Sequence, residues 1–157
     1  MARIDVAAED PGQEAVSALV AALDRYLLDL YPAETCSLLD VAALSGPDVR
    51  FFVARMEGRP VGCAALRIDP AGYGEIKRMY VDPAARGRRI GERLLARLEE
   101  QARSEGLRAV LLESGIHQHE ALALYRRGGF APRGPFADYA DHEVSVFMEK
   151  SLRESVA

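Results

Sequence analysis

The chain has 157 residues, 49% of them hydrophobic and 28% charged, a balance that fits one globular domain with a real core and excludes a disordered or fibrous chain. Its formal net charge of −4 argues against a surface built as a whole to attract nucleic acid, so any anion site must be local. Cys36 and Cys63 have no CxxC spacing, no run of about 18 apolar residues offers a membrane span, and "MARIDVAAEDPG" lacks the apolar stretch of a signal peptide, which together predict a cytoplasmic protein with no disulfide framework, no zinc signature and no membrane partner. One domain is expected over residues 1–152, with 153–157 as a frayed tail.

Residues 3–7, "RIDVA", read as a short first strand. Val16, Leu19, Val20, Leu23, Leu27 and Leu30 then recur at helical spacing, and Pro32 ends that helix. "SLLDVAAL" (37–44) suggests a second, shorter helix. "FFVARM" (51–56) and "VGCAALRI" (61–68) are strands joined by the turn "EGRP", a hairpin. In the next strand, "GEIKRMYV" (74–81), Ile76 falls at an even position and Met79 and Val81 at odd ones. A strict period of two would put them on opposite faces; one extra residue, a β-bulge, would return them to one face, and a strand buried on both faces is the alternative.

After "DPAARGRR" (82–89), Ile90, Leu94, Leu95 and Leu98 form the stripe of a helix that Gly106 ends, with Glu99 and Arg103 one turn apart. "RAVLLES" (108–114) is apolar enough for a strand inside a sheet. Ala121, Leu122, Leu124 and Tyr125 mark another amphipathic helix, closed by Gly128 and Gly129, and "SVFMEKSL" (145–152) is the last strand. The order predicts an α/β fold: a mixed sheet with helices on its faces.

The charge pattern singles out "PAARGRRIGERLLARLEE" (83–100). Arg88 and Arg89 sit at the start of a helix, the end where cations are unfavourable and anions are not. Such a helix start, with Gly87 and Gly91 clearing the approach, is a phosphate cradle. No GKS or GKT follows for a γ-phosphate and magnesium, and GxGxxG is absent; a pyrophosphate that needs no metal fits best.

Here the stretch "YVDPAARGRRIGERLL" resembles the acetyl-CoA signature of the GCN5-related N-acetyltransferases (GNAT), Arg/Gln-x-x-Gly-x-Gly/Ala. Arg86 and Gly91 match its first and last positions, and Arg89 stands where the middle glycine usually is. The hairpin "FFVARMEGRPVGCAALR" and "GEIKRMYV" are similar to the family's central strands, and "ALALYRRGGF" is similar to its A-x-x-L-Y-x-x-x-G-F helix, with Gln118 in place of a frequent asparagine. The match spans roughly 50–150, and "GEIKRM", "PFADY" and "SVFM" look most like the YsnE-like bacterial subgroup.

The resemblance implies a GNAT-type mixed, mostly antiparallel central sheet, a bulged fourth strand, helices on both faces, and a single acetyltransferase domain. It implies that acetyl-CoA lies between the bulged strand and the next, its pantetheine arm held along Met79, Tyr80 and Val81, its pyrophosphate held by Arg86, Gly87, Arg88, Arg89, Ile90 and Gly91, with Gln118 nearby and no metal. Tyr125 is then the acid for the departing thiolate, against the alternative of a core tyrosine. Glu75 is the base for the attacking amine, directly or through water, against the alternative of a solvated strand-end glutamate. The acceptor pocket is expected from Tyr31 and Glu34, from Phe136, Asp138, Tyr139 and His142, and from Glu113 at a strand end. His117 and His119 are too few for a metal site. The leading expectation is an acetyl-CoA-dependent N-acetyltransferase acting on a small-molecule or peptide amine by direct attack in a ternary complex. The alternative is a non-catalytic acyl-CoA-binding regulatory module. A nucleic-acid patch at Arg86, Arg88 and Arg89 is disfavoured by the acidic total. The last strand is expected at the C-terminal edge of the sheet, where a second copy could pair to form a homodimer.

Overall fold

The computed structural model describes residues 2–31 and 41–152. Strand β1 (Ile4–Ala8) leads into α1 (Glu14–Leu30), which buries Val16, Leu19, Val20 and Leu23 of the anticipated stripe. The helix stops at Tyr31, whose extended backbone (φ −135°, ψ 151°) is the conformation a following proline imposes. The end of the second expected helix is present as α2 (Val41–Leu44); the rest of that segment, with Glu34 and Cys36, lies outside the described residues. β2 (Val49–Met56) and β3 (Arg59–Ile68) form the hairpin, turned by Glu57 and Gly58, both at positive φ. β4 (Tyr73–Val81) and one 3₁₀ turn (Pro83–Ala85) precede α3 (Ile90–Ser104). β5 (Ala109–Gly115), α4 (His119–Arg127), β6 (Ala131–Arg133) and β7 (Ser145–Ser151) complete the order. Among the described residues no helix is long and apolar enough to cross a membrane.

The strands join in one seven-stranded sheet, ordered β1-β2-β3-β4-β5-β7-β6, so the C-terminal strand β7 is not the edge expected from the sequence: β6 pairs along its outer side. Every pairing is antiparallel except β4 with β5, so the sheet is mixed and mostly antiparallel, as expected. On one face Ile90, Leu94 and Leu98 of α3 and Leu122 and Tyr125 of α4 share a core with Leu66, Ile76, Val110, Leu112 and Met148. On the other, Val16 and Val20 of α1 and Leu44 of α2 pack on Phe51, Val53, Cys63 and Ala65. Helices therefore cover both faces.

β4 carries the bulge. Cys63 pairs with Tyr80 and Ala65 with Lys77, so two steps along β3 face three along β4. The residue left over is Arg78, with φ +57°. The extra step lets Ile76, Met79 and Val81 all meet the α3 side of the core, which a regular strand would forbid. The Arg78 side chain is buried towards α1, where it ion-pairs with Asp24, and its carbonyl accepts from the Cys63 thiol at 3.3 Å.

β4 and β5 pair only over Tyr73–Ile76 and Ala109–Leu112. Beyond that β4 stays with β3 and β5 with β7, and a gap opens between them. Tyr31 ties α1 to the far side of this gap: its hydroxyl accepts from the His117 N–H at 3.0 Å, and its ring stacks on the His117 imidazole. A Cβ on Gly115 would overlap the Tyr31 hydroxyl. Gly115→Ala is therefore expected to displace Tyr31 and cost about 1–3 kcal/mol, read as a melting temperature lower by several degrees. A variant melting with the wild type would show that the tyrosine tether is not fixed.

Candidate active site

Where β4 and β5 part, a cavity of about 720 Å³ opens. Met79, Tyr80 and Val81 form its β4 wall, and Arg86, Gly87, Arg89, Ile90 and Gly91 form its floor. Gln118, Glu120, Ala121, Leu124 and Arg127 supply the α4 side, and Leu23 and Tyr26 of α1 close it. Nine of the ten residues expected from the sequence to hold the donor thus line one space. Arg88 is the exception: it is exposed and does not line the cavity, because the loop turns it outward.

The loop is built for a sharp entry into α3. The Asp82 carboxylate accepts from the Ala84 N–H at 3.0 Å and sets the 3₁₀ turn. Gly87 follows at φ +84°, and Arg89 is the N-cap of α3 at φ +58°. Arg89 thus adopts the left-handed conformation that a glycine takes freely, at a cost of about 1–2 kcal/mol for a side-chain-bearing residue. The two glycines have reasons other than a cleared approach. A Cβ on Gly87 would meet nothing, so its requirement is backbone conformation; a Cβ on Gly91 would press on Leu124, so its requirement is the contact between α3 and α4.

The first-turn N–H groups of α3 have no acceptor within the helix, and they open on the cavity floor beside Arg86, Arg89 and Arg127. Two carboxylates temper this charge. Arg86 pairs with Glu120 at 2.7 Å and Arg127 with Glu92 at 2.8 Å. Both pairs are solvent-exposed, so each is weak and exchangeable for a phosphate.

A second cluster sits on the α1 side of the sheet. Lys77 is opposite Ala65 and Glu75 opposite Arg67, on the strand face away from Ile76. Glu75 is 2% exposed, which corrects the alternative of a solvated strand-end glutamate: the sheet and the loop before β7 cover it. The Tyr139 hydroxyl donates to Glu75 Oε2 at 2.5 Å, and Lys77 Nζ lies 3.1 Å from the same oxygen. Lys77 also donates to the Tyr139 hydroxyl. Burial and the adjacent Glu75 push the Tyr139 phenol far up, so it keeps its proton. Glu113 borders the cluster; burial raises its carboxyl despite a hydrogen bond from Ser145 and the nearby Lys77 charge.

The remaining candidates divide. Tyr125 is buried against Phe130 and does not line the cavity, though its neighbour Leu124 does; burial alone raises its phenol. Phe136 is a core residue, edge-on to Tyr73, Tyr139 and Phe147, and it supports Tyr139 rather than facing open space. Tyr31 is buried in its tether to His117, and Asp138 and His142 are exposed on the loop before β7. Sequence reasoning passed over Lys77, which a period-two reading would have placed beside Glu75, and Leu23, Tyr26, Glu92, Glu120 and Arg127. The last five come together only through packing of α1, α3 and α4 around the gap.

Comparison with known proteins agrees with this geometry. The model of the acetyltransferase (GNAT) family matches residues 14–130. An IAA acetyltransferase of Azospirillum brasilense is 55% identical over 153 residues, covering 97% of this chain and all of that one. The uncharacterised N-acetyltransferase YsnE of Bacillus subtilis is 32% identical over 143 residues, 90% of this chain and 94% of that one. A crystal structure from Klebsiella pneumoniae, provisionally described as an acyl-CoA N-acyltransferase, superposes with a TM-score of 0.81 at 39% identity, covering 96% of this chain and 98% of that one. The chain belongs to the acetyltransferase (GNAT) family.

Glu113 offers a test of the charge cluster. Its folded-state carboxyl titrates above the unfolded one, so its stabilising effect is present at low pH and lost as pH rises through the folded value. Glu113→Gln should therefore gain stability over the wild type progressively as pH rises above the ordinary carboxylate range, with the difference vanishing below it. Parallel urea midpoints across that rise would place Glu113 in water.

Proposed function

We propose that this member of the GNAT family transfers an acetyl group from acetyl-CoA to an amine of a small molecule or peptide, by direct attack in a ternary complex. The observation that carries the reading is the single cavity bounded by the β4 backbone past the bulge on one side and the arginine-rich start of α3 on the other. From Met79 to Val81, β4 has no partner on its β5 side, so the pantetheine amides can pair there as an added strand would. Arg86, Arg89 and the first-turn amides of α3 then take the pyrophosphate, displacing Glu120 from Arg86.

The acceptor approaches from the α1 side, where Glu75, Glu113 and Tyr139 lie. Glu75 accepts the ammonium proton, with the Tyr139 hydroxyl between the buried carboxylate and the exposed loop. The amine attacks the thioester carbon and the carbon–sulfur bond breaks; Tyr125, which burial keeps protonated at neutral pH, sits behind Leu124 rather than on the cavity wall and must meet the departing thiolate past that side chain to give it a proton. An acyl-enzyme on Cys63 is disfavoured: that thiol is buried, pushed up to about 12, and engaged with the Arg78 carbonyl. The residue 1–152 domain carries the activity, in the cytoplasm. IAA, named for the Azospirillum relative, is the first compound to try beside a panel of primary amines.

Calorimetric titration with acetyl-CoA is expected to show binding that Arg86→Ala weakens by roughly 10-fold or more, the worth of a charge-assisted hydrogen bond. Tyr125→Phe should bind the donor as the wild type does and lose on the order of 100-fold in kcat. Undiminished turnover in that variant would return Tyr125 to the core, and a protein that binds donor but turns over no acceptor would be the binding module instead.

A further inference from the structure

We infer that Lys77 is a self-acetylation site: with the donor bound and no acceptor present, the protein acetylates its own Lys77 amine. This rests on the donor and base assignments above. Among the 20 lysine and arginine residues of the chain, only Lys77 and Lys150 are lysines. Elsewhere the chain uses arginine, whose guanidinium does not deprotonate and is a poor nucleophile. Lys150 has an evident structural use, pairing with Glu99 at 2.6 Å and donating to the Gly128 carbonyl that closes α4. Lys77 has a primary amine where the chemistry needs one.

Three features place that amine. Lys77 is the first residue of β4 past the last pairing with β5, where the two strands begin to part, and the cavity wall on that strand starts two residues on, at Met79. Its Nζ lies 3.1 Å from the carboxylate of Glu75, the group proposed to take the acceptor's proton. It also donates to Tyr139 and sits over that ring, 5.0 Å from the centroid, which orients the amine on the acceptor side of the sheet. With respect to Glu75, Lys77 already occupies the position an acceptor amine must reach. It is the chain's own competitor for the acetyl group.

The step balances. The Lys77 ammonium gives a proton to Glu75, and the free amine attacks the thioester carbonyl carbon. The carbon–nitrogen bond forms, the carbon–sulfur bond breaks, and the nitrogen gives up its second proton as the thiolate takes one up, releasing free coenzyme A. Glu75 returns its proton to solvent, leaving a neutral amide at residue 77. The product removes the positive charge that faces Glu75 and fills part of the acceptor space, so a modified molecule should be a slower enzyme.

The test needs no acceptor. The full chain is incubated with acetyl-CoA alone and followed by intact-mass spectrometry and peptide mapping, with acetyl-CoA binding measured on the same preparation. One acetyl group is expected, on Lys77. The Lys150 side chain is more exposed, 26% against 12%, so unassisted chemical acetylation with acetic anhydride should favour Lys150, and only the folded enzyme with its donor should favour Lys77. Lys77→Arg should abolish the gain, and Glu75→Gln should slow it on the order of 100-fold. Donor bound with Lys77 unmodified, or Lys150 or the N-terminus modified first, would overturn the inference and leave the proposed function standing. No donor binding would overturn the reading beneath both.

Discussion

One extra residue in β4 organises this molecule. Arg78 is the extra step of β4 at the register shift against β3, at φ +57°, and everything past it changes face. Before the bulge, Glu75 and Lys77 look towards α1 while Ile76 enters the core under α3. After it, Met79 and Val81 reach that same core. The strand bends, leaves β5 after Ile76, and exposes an unpaired backbone edge in the middle of a sheet. A gap of that kind is unfavourable unless something occupies it, because buried amide groups need partners. The strained backbone at Arg78 is held by its ion pair with Asp24 of α1, so the first helix fixes the shape of the site as well as covering the sheet.

The electrostatics follow from the same opening. Three cations around the gap are met by carboxylates: Arg86 by Glu120, Arg127 by Glu92, Lys77 by Glu75. The first two pairs are exposed and weak, which suits groups that must exchange a carboxylate for a phosphate. The third is buried, and a buried pair is costly to break. Around the gap, the anion-binding side is thus open to exchange and the proton-handling side is held rigidly by Tyr139, itself braced by Phe136 and Phe147. The division suits the proposed reaction, in which a large polyanion exchanges on one side and Glu75 takes a proton on the other.

Arg89 shows how a departure from a family pattern is absorbed. The usual glycine would take the left-handed conformation freely; here an arginine takes it, and its side chain lines the cavity floor. The strain sits at the cap of α3, beside the N–H groups left open for an anion. Gly91 is kept for a different reason, the close approach of α3 to Leu124 of α4. Two positions of one short motif therefore answer to two unrelated constraints, backbone conformation at the cap and helix packing behind it.

The chain's local periodicities and turn residues were enough to locate its long helices and every strand but the three-residue β6. Apolar spacing marked α1, α3 and α4, Pro32 marked the end of α1, and the mismatch of Ile76 with Met79 and Val81 pointed to a bulge or a doubly buried strand. The arginine-rich helix start was legible as an anion site because charge at a helix N-terminus is a local property. What the sequence could not supply was distance across the fold. It left Glu75 open between a base and a solvated strand-end glutamate, whereas the loop carrying Tyr139 buries it. It offered Phe136 and Tyr31 to the acceptor, whereas packing against Tyr73 and Phe147, and against His117, commits them to support. It missed Tyr26, Glu120 and Arg127, which belong to the cavity only because α1 and α4 meet across the gap. Local backbone chemistry was therefore set by neighbours in the chain; the site was decided by which side chains the divergence of β4 from β5 left facing the same space.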